Sequence, residues 1–250
     1  MKVKPAKSKR CLTGGSRSLN ERVIIVSTQE PHDFEPISVE AVSLTPFYYH
    51  GLYIPDGSST NPTLLTDTTV MFALAHALGC PPTRGTRSKP NYAADISRMP
   101  WRASIFTEYQ ENVGEFNRRL MPVRHSLDVE REGGYQESLQ KNLGSGNVKK
   151  IWYVHEVAEG ARYRGALFGP NPFKTYGLNE IVVRVGVGRM GMIRLRPVES
   201  LETVRLNTAT ARLFGTDINE EYRVLDTIRV STPVSLPEAQ SVVRQWVCTN

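Results

Sequence analysis

Cysteine is scarce in this chain: Cys11, Cys80 and Cys248 lie far apart, odd in number and without C-x-x-C spacing. That argues against a disulfide framework and a cysteine zinc site, and it makes a reducing cytoplasm the default location. Long apolar runs are also missing. None approaches the roughly 18 residues that a membrane helix needs, so no membrane contact is expected. The basic N-terminus is not followed by an apolar core and does not read as a secretory signal. Carboxylate-rich pairs and H-x-x-H spacings are absent as well, which leaves no expected metal site and no implied cofactor. What remains, 40% apolar and 22% charged residues, is the composition of a folded soluble protein.

One local absence is more informative. Between Ile181 and Arg196 there is no acid, while Arg184, Arg189, Arg194 and Arg196 all fall in or at the end of that stretch. Gly186, Gly188 and Gly191 within it have G-x-G-x-x-G spacing. A dinucleotide site of that spacing requires a helix after the glycines, because the helix N-terminus holds the pyrophosphate. Here Met192, Ile193, Arg194, Leu195 and Arg196 alternate and end at Pro197, the pattern of a strand. The segment therefore reads as strand, glycine loop, strand. Bare backbone amides beside guanidinium groups suit a phosphate chain, and the flanking strands suit RNA.

The net charge of +6 is unevenly spread. Residues 1–24 carry seven bases against Glu21, and residues 149–196 carry nine against Glu156, Glu159 and Glu180. The remainder is net acidic. Two basic patches on an acidic background point to local polyanion contact. For residues 1–22, a disordered, solvated basic tail is an equal alternative.

Val23 to Ser27 and Ile37 to Leu44 read as strands, the second running into the aromatic cluster Phe47, Tyr48, Tyr49 and His50. Asp67 to Gly79 is the clearest helix, with Thr66 or Asp67 as its N-cap and Gly79 at its C-terminal end. Residues 80–148 carry many breakers and weak periodicity, which suggests an insertion, with a short helix over Tyr135 to Leu143. Lys150 to Val157 and Arg162 to Phe168 alternate across Ala158-Glu-Gly-Ala161 and predict a hairpin. After the glycine loop come a short helix capped by Asn207, a strand over Tyr222 to Val230, and a helix opened by the Ser235-Leu-Pro-Glu238 capping box. This order predicts an α+β protein with residues 23–250 as one domain.

The run Val157-Ala-Glu-Gly-Ala-Arg-Tyr-Arg-Gly165, followed by Val185-Gly-Val-Gly-Arg-Met-Gly191, resembles the RAMP superfamily of CRISPR-associated proteins. Members place a hairpin of the form small-Gly-x-x-aromatic-x-Gly before a late glycine-rich loop bearing an arginine. Leu52-Tyr-Ile and the segment Leu65 through Gly79 are similar to the first helix region of the handle-binding subunit in type I-D Cascade, the Csc branch of the Cas-five group. A type IV handle-binding relative fits these residues too, and the long N-terminal extension departs from the pattern. The resemblance implies a ferredoxin-like (RRM-like) fold with an inserted thumb, for which residues 95–145 are the natural candidate. It further implies a subunit that grips the 5′ handle of the crRNA, caps the backbone of Cas-seven-type subunits, docks the large subunit, meets target DNA only indirectly, and need not cut anything. The RNA-binding residues expected on this reading are Gly186, Gly188, Arg189, Gly191, Arg194, Arg196, Tyr49, His50, Arg162 and Arg164.

Residue chemistry leaves alternatives open at each position. Guanidinium groups bind phosphate bidentately, but arginines on strands also form ordinary solvated faces. Strand alternation suggests that Arg184 faces away from Arg194 and Arg196, which makes Arg189 at the loop tip the favoured phosphate contact. Tyr48, Tyr49, Tyr53 and Trp152 could stack on bases, or simply pack. His50, His76, His125 and His155 permit a second function, metal-independent cleavage of pre-crRNA by a Cas-six-like endoribonuclease, although no spacing pairs them. A third possibility is a structural RAMP subunit that bridges protein neighbours.

Overall fold

The computed structural model describes residues 34–49, 52–54, 57–79, 91–109, 118–124 and 151–248. The basic tail, the strand over Val23 to Ser27 and the helix over Tyr135 to Leu143 fall outside these residues.

The main sheet is built on β1 (Ile37–Ser43), β4 (Leu64–Leu65), β5 (Arg102–Ala103), β6 (Phe106–Glu108), β9 (Arg162–Phe168), β10 (Ile181–Val185) and β11 (Gly191–Pro197). Its order is β10-β11-β1-β9-β6-β4, with β5 also on β9, and all these pairings are antiparallel. Its four inner strands come in the chain order β1, β6, β9, β11 and lie fourth-first-third-second across the sheet. That is the strand order of a ferredoxin-like fold, so the α+β expectation holds. Helix α1 (Asp67–Ala77) precedes β6 and makes the first crossover. In the second crossover, a five-residue helix α3 (Pro172–Tyr176) and the edge strand β10 replace a long helix. Its sequence marks it: Asn171 caps it, Pro172 opens it and Gly177 closes it in the left-handed region at φ 64°.

Alternation along the inner strands sorts their residues onto two faces. Odd-numbered Val39, Ala41, Tyr163, Leu167, Ile181, Val183, Ile193 and Leu195 pack in one core with Val70, Met71 and Leu74 of α1. Thr66 caps α1 as expected, its hydroxyl accepting from the Thr69 amide at 3.1 Å. Also in this core lie Ile96, from α2 (Tyr92–Ser97), and Trp101, Ala103 and Phe106. Even-numbered Ala166 and Phe168 pack instead against the C-terminal segment, where Leu206, Ala211, Val243 and Trp246 form a second core. That segment contributes the short strand β12 (Thr203–Val204) and the helices α4 (Thr208–Leu213) and α5 (Leu236–Cys248). The remaining even positions lie at the other end of that face.

Three sequence expectations are corrected. Residues 91–109 are not part of an insertion, because β5 and β6 complete the main sheet and Ile105 and Phe106 are fully buried. The strands on either side of Ala158 to Ala161 exist but do not pair with each other. Both edges of β9 are already occupied, by β1 on one side and by β5 and β6 on the other. β8 (Ile151–Val157) therefore joins a second sheet, β2-β3-β8-β7, with β2 (Leu52–Ile54), β3 (Gly57–Ser59) and β7 (Arg118–Arg124). Of the expected thumb beyond residue 109, the described part is β7, which pairs with β8 just past the thumb's expected end. The strand over Tyr222 to Val230 is a hairpin, β13 (Glu220–Leu225) and β14 (Ile228–Ser231), turning at Asp226 and Thr227.

A buried polar cluster ties the C-terminal segment to α1. Asp67 is fully buried and accepts from the Asn207 amide at 2.8 Å and from the Thr210 hydroxyl at 2.6 Å. The same Asn207 caps α4 and donates to the Thr227 carbonyl at 3.0 Å. Burial raises the Asp67 carboxyl above its ordinary value, opposed by those two hydrogen bonds. A carboxyl raised in the native state binds its proton more tightly when folded. Its contribution to stability therefore declines as pH rises from the ordinary value of 3.8 through the raised native one. Denaturant unfolding across that window should show this decline in the parent chain and lose it in Asp67→Asn. Asp67→Ala, which strands two buried donors, should lower stability by about 2–3 kcal/mol.

Candidate nucleic-acid interface

The even positions of four adjacent strands place five arginines on one face of the main sheet. In the closing hairpin Val185 pairs with Gly191, Arg184 with Met192 and Val182 with Arg194. On β1, Glu40 is flanked by Arg164 and Arg196, and Val42 by Arg162 and Arg194. The face thus holds Arg162 and Arg164 on β9, Arg194 and Arg196 on β11, and Arg184 on the edge strand. Partners two strands apart lie roughly 10 Å from each other, and successive same-face positions along a strand roughly 7 Å. The core helix α1 packs on the opposite face.

Glu40 organises the array. Its carboxylate is wholly buried. Oε2 accepts from Arg196 at 2.7 Å (Nε) and 2.6 Å (Nη2), while Oε1 lies 3.7 Å from Arg164 Nη2. Arg164 is further held flat over the Tyr109 ring, 3.4 Å from its centroid. Two guanidinium groups are thereby fixed in place while still partly open to solvent, at 30% and 46%. Arg194 lies 3.7 Å from Glu180, itself half exposed, so that pair is weak. Among the described residues this face carries five guanidinium groups, with one buried carboxylate between two of them and one exposed carboxylate beside a third, an arrangement suited to a phosphate backbone.

The glycine loop is organised differently from the amide cradle that its spacing suggests. Val187 to Arg189 make one turn of 3-10 helix, with Gly186 at φ 79° and Gly188 at φ 63°. The Val187 amide donates to the Tyr48 carbonyl, the Arg189 amide to Gly186, and the Met190 amide to Val187. The Met192 amide donates to Thr45 Oγ1. These amides are committed to the protein. Gly191 is glycine because a Cβ there would overlap the Phe47 side chain. Beyond Gly188, by contrast, the space is filled only by the Met190 side chain.

The register reverses the expected roles of two arginines. Arg184 shares the face of Arg194 and Arg196, because the Val185–Gly191 closing pair puts even opposite even. Arg189, in the left-handed region at φ 54°, turns toward the α1 side, its Nη2 lying 3.1 Å from His76 Nε2. Tyr49 is half buried against the main core, its hydroxyl between Thr69 and the Gly186 amide, and burial raises its pKa. Tyr48 is buried. Neither is an open stacking platform. His50 and His125 lie outside the described residues, as do the side chains of Tyr53 and Trp152. His76 and His155 sit on different elements, α1 and β8. Among the described residues no group of three or more His, Cys, Asp or Glu could hold a metal ion. Glu40 and Tyr109 went unnoticed in the sequence; Glu40 sits in an apolar alternating strand, the one available signal that it must be paired.

These contacts make separable predictions for stability. Glu40→Ala should cost about 2 kcal/mol in urea unfolding, since it leaves two half-buried arginines without their shared anion. Gly191→Ala should cost about 1–3 kcal/mol by overpacking against Phe47. Gly188→Ala, with open space and only backbone strain, should cost roughly 1 kcal/mol.

No protein-family model matches the chain, and no curated protein matches it. Among solved structures, it is similar to a chain in the cryo-EM structure of the type III-B Cmr-beta complex bound to cognate target RNA and AMPPnP. The identity is 14% and the TM-score 0.35, and the match covers 66% of this chain and 63% of that one, less than two thirds of its length.

Proposed function

We propose that this protein is a non-catalytic RNA-binding subunit of a CRISPR effector complex, of the type I Cascade kind, that holds the 5′ handle of the crRNA. The carrying observation is the sheet face that Arg162, Arg164, Arg184, Arg194 and Arg196 share, with Arg164 and Arg196 set on either side of one buried carboxylate. An open sheet face with fixed guanidinium groups binds a single-stranded phosphate chain without requiring a particular base sequence. The RAMP-like motifs at residues 157–165 and 185–191 supply the biological setting. In it the chain caps Cas-seven-type backbone subunits, meets the large subunit and works in the cytoplasm. Selectivity for the handle would come from base contacts near Tyr109 and Val42, beside the arginines.

The role proposed for this face, holding phosphate with guanidinium groups, requires no catalytic step. The test is a titration of repeat-derived RNA against the purified chain by fluorescence anisotropy, across salt concentrations. Binding should weaken steeply with salt, with log K falling by about 0.7 per decade of salt for each phosphate contacted. Arg162→Glu combined with Arg194→Glu should weaken binding by at least about tenfold, whereas Arg189→Glu alone should leave it within about twofold. Accumulation of cut RNA that His155→Ala abolishes would instead favour the processing endoribonuclease and sink this reading.

A further inference from the structure

Strand β10 ends the main sheet: β11 pairs with one side of it, and the other side takes no strand among the described residues. A free edge exposes backbone donors and acceptors that natural proteins usually cover, shorten or charge. Here the surroundings are apolar. Of the seven large hydrophobic residues exposed among the described residues, Leu178 lies just before β10, Val182 lies in it, and Met190 lies on the loop after it. Met190 is 65% exposed, the most of any of them. Leu44, also exposed, is held just past the same loop by the hydrogen bond that its amide donates to the Met192 carbonyl.

Alongside the edge runs a cleft of about 520 Å³ between α1 and β10. Tyr49 and Phe72 give it apolar walls, Val182 and Arg184 border it from the strand edge, Arg189 brings a second guanidinium beside His76, and no carboxylate of the described residues lines it. We propose that this edge and cleft receive an extended acidic-apolar segment of a partner protein, which adds to the sheet as a strand beside β10. The added strand would gain main-chain hydrogen bonds from the edge, and its alternate side chains would reach both faces. On the α1 side they would meet Tyr49, Phe72 and Arg189; on the other, Val182 and Arg184. Charge decides the occupant. A second copy of this chain would bring its own Arg184 and Arg189 to an edge whose nearby carboxylate, Glu180, already faces Arg194. RNA would leave the apolar residues and the backbone edge unmatched.

The inference is independent of the RNA reading, and its test separates the two. The probe is a short fluorescein-labelled peptide alternating valine or isoleucine with glutamate or aspartate. One control peptide has alternate backbone nitrogens methylated, and another has lysine in place of each acid. With the full chain, the acidic peptide should bind saturably and protect amides of Ile181–Val185 from hydrogen exchange. Both controls should bind at least about tenfold more weakly. Arg189→Glu should weaken the acidic peptide, strengthen the lysine peptide, and leave RNA affinity unchanged. No saturable binding, equal binding of the methylated peptide, or protection confined to other strands would overturn the proposal. So would a dimer in sedimentation that Val182→Lys dissolves, which would assign the edge to a second copy.

Discussion

A two-residue repeat held in register across four strands decides nearly everything about this molecule. Because β10, β11, β1 and β9 pair with even opposite even, every odd position falls beneath α1 and every even one on the far side. A slip of one residue in any of these pairings would exchange apolar for cationic side chains across the sheet. The two faces are accordingly unlike. One is closed by Val39, Ala41, Tyr163, Val183 and Leu195 against the helix. The other is covered by the C-terminal segment at one end, and at the other it carries the arginines around Val42 and Val182.

Concentrating like charges on an open face carries an electrostatic cost, and Glu40 is the local remedy. Set between two arginines on a central strand, it is too buried to act as a surface ion pair; its Oε2 accepts from Arg196, and its Oε1 faces Arg164 across 3.7 Å. Its role is geometric as much as energetic, since a shared anion restricts the guanidinium rotamers that a phosphate would otherwise have to order. Tyr109 does the same for the flat of Arg164. The face is thus preorganised for a polyanion.

Much of the fold was legible in the sequence because the signals were local. The Thr66 cap of α1, the Asn207 cap of α4, the Ser235 capping box and the alternation of β9 and β11 depend only on neighbouring residues. What failed was pairing, which is not local. Nothing between Ala158 and Ala161 states that β9 already has partners on both edges, so a tempting hairpin became two strands in two sheets. Likewise β5 and β6 are too short and too close to prolines to announce themselves as sheet strands. At the site, the identity of the arginines was readable but their direction was not. The tight turn at Gly186 and Gly188 fixes the closing pair, and with it the face of Arg184 and the outward path of Arg189. The glycines serve this turn and its packing on Phe47 rather than a ligand's approach.

Asn207 carries a broader implication for how the chain comes apart. One side chain simultaneously seals the start of α4, anchors the tip of the β13–β14 hairpin and neutralises the isolation of the acid at the head of α1, 140 residues away in sequence. Neither hydrophobic core can loosen without uncovering polar atoms in the other. The Asn207 bonds thus couple the packing on the two faces of the sheet, even though each has its own apolar cluster.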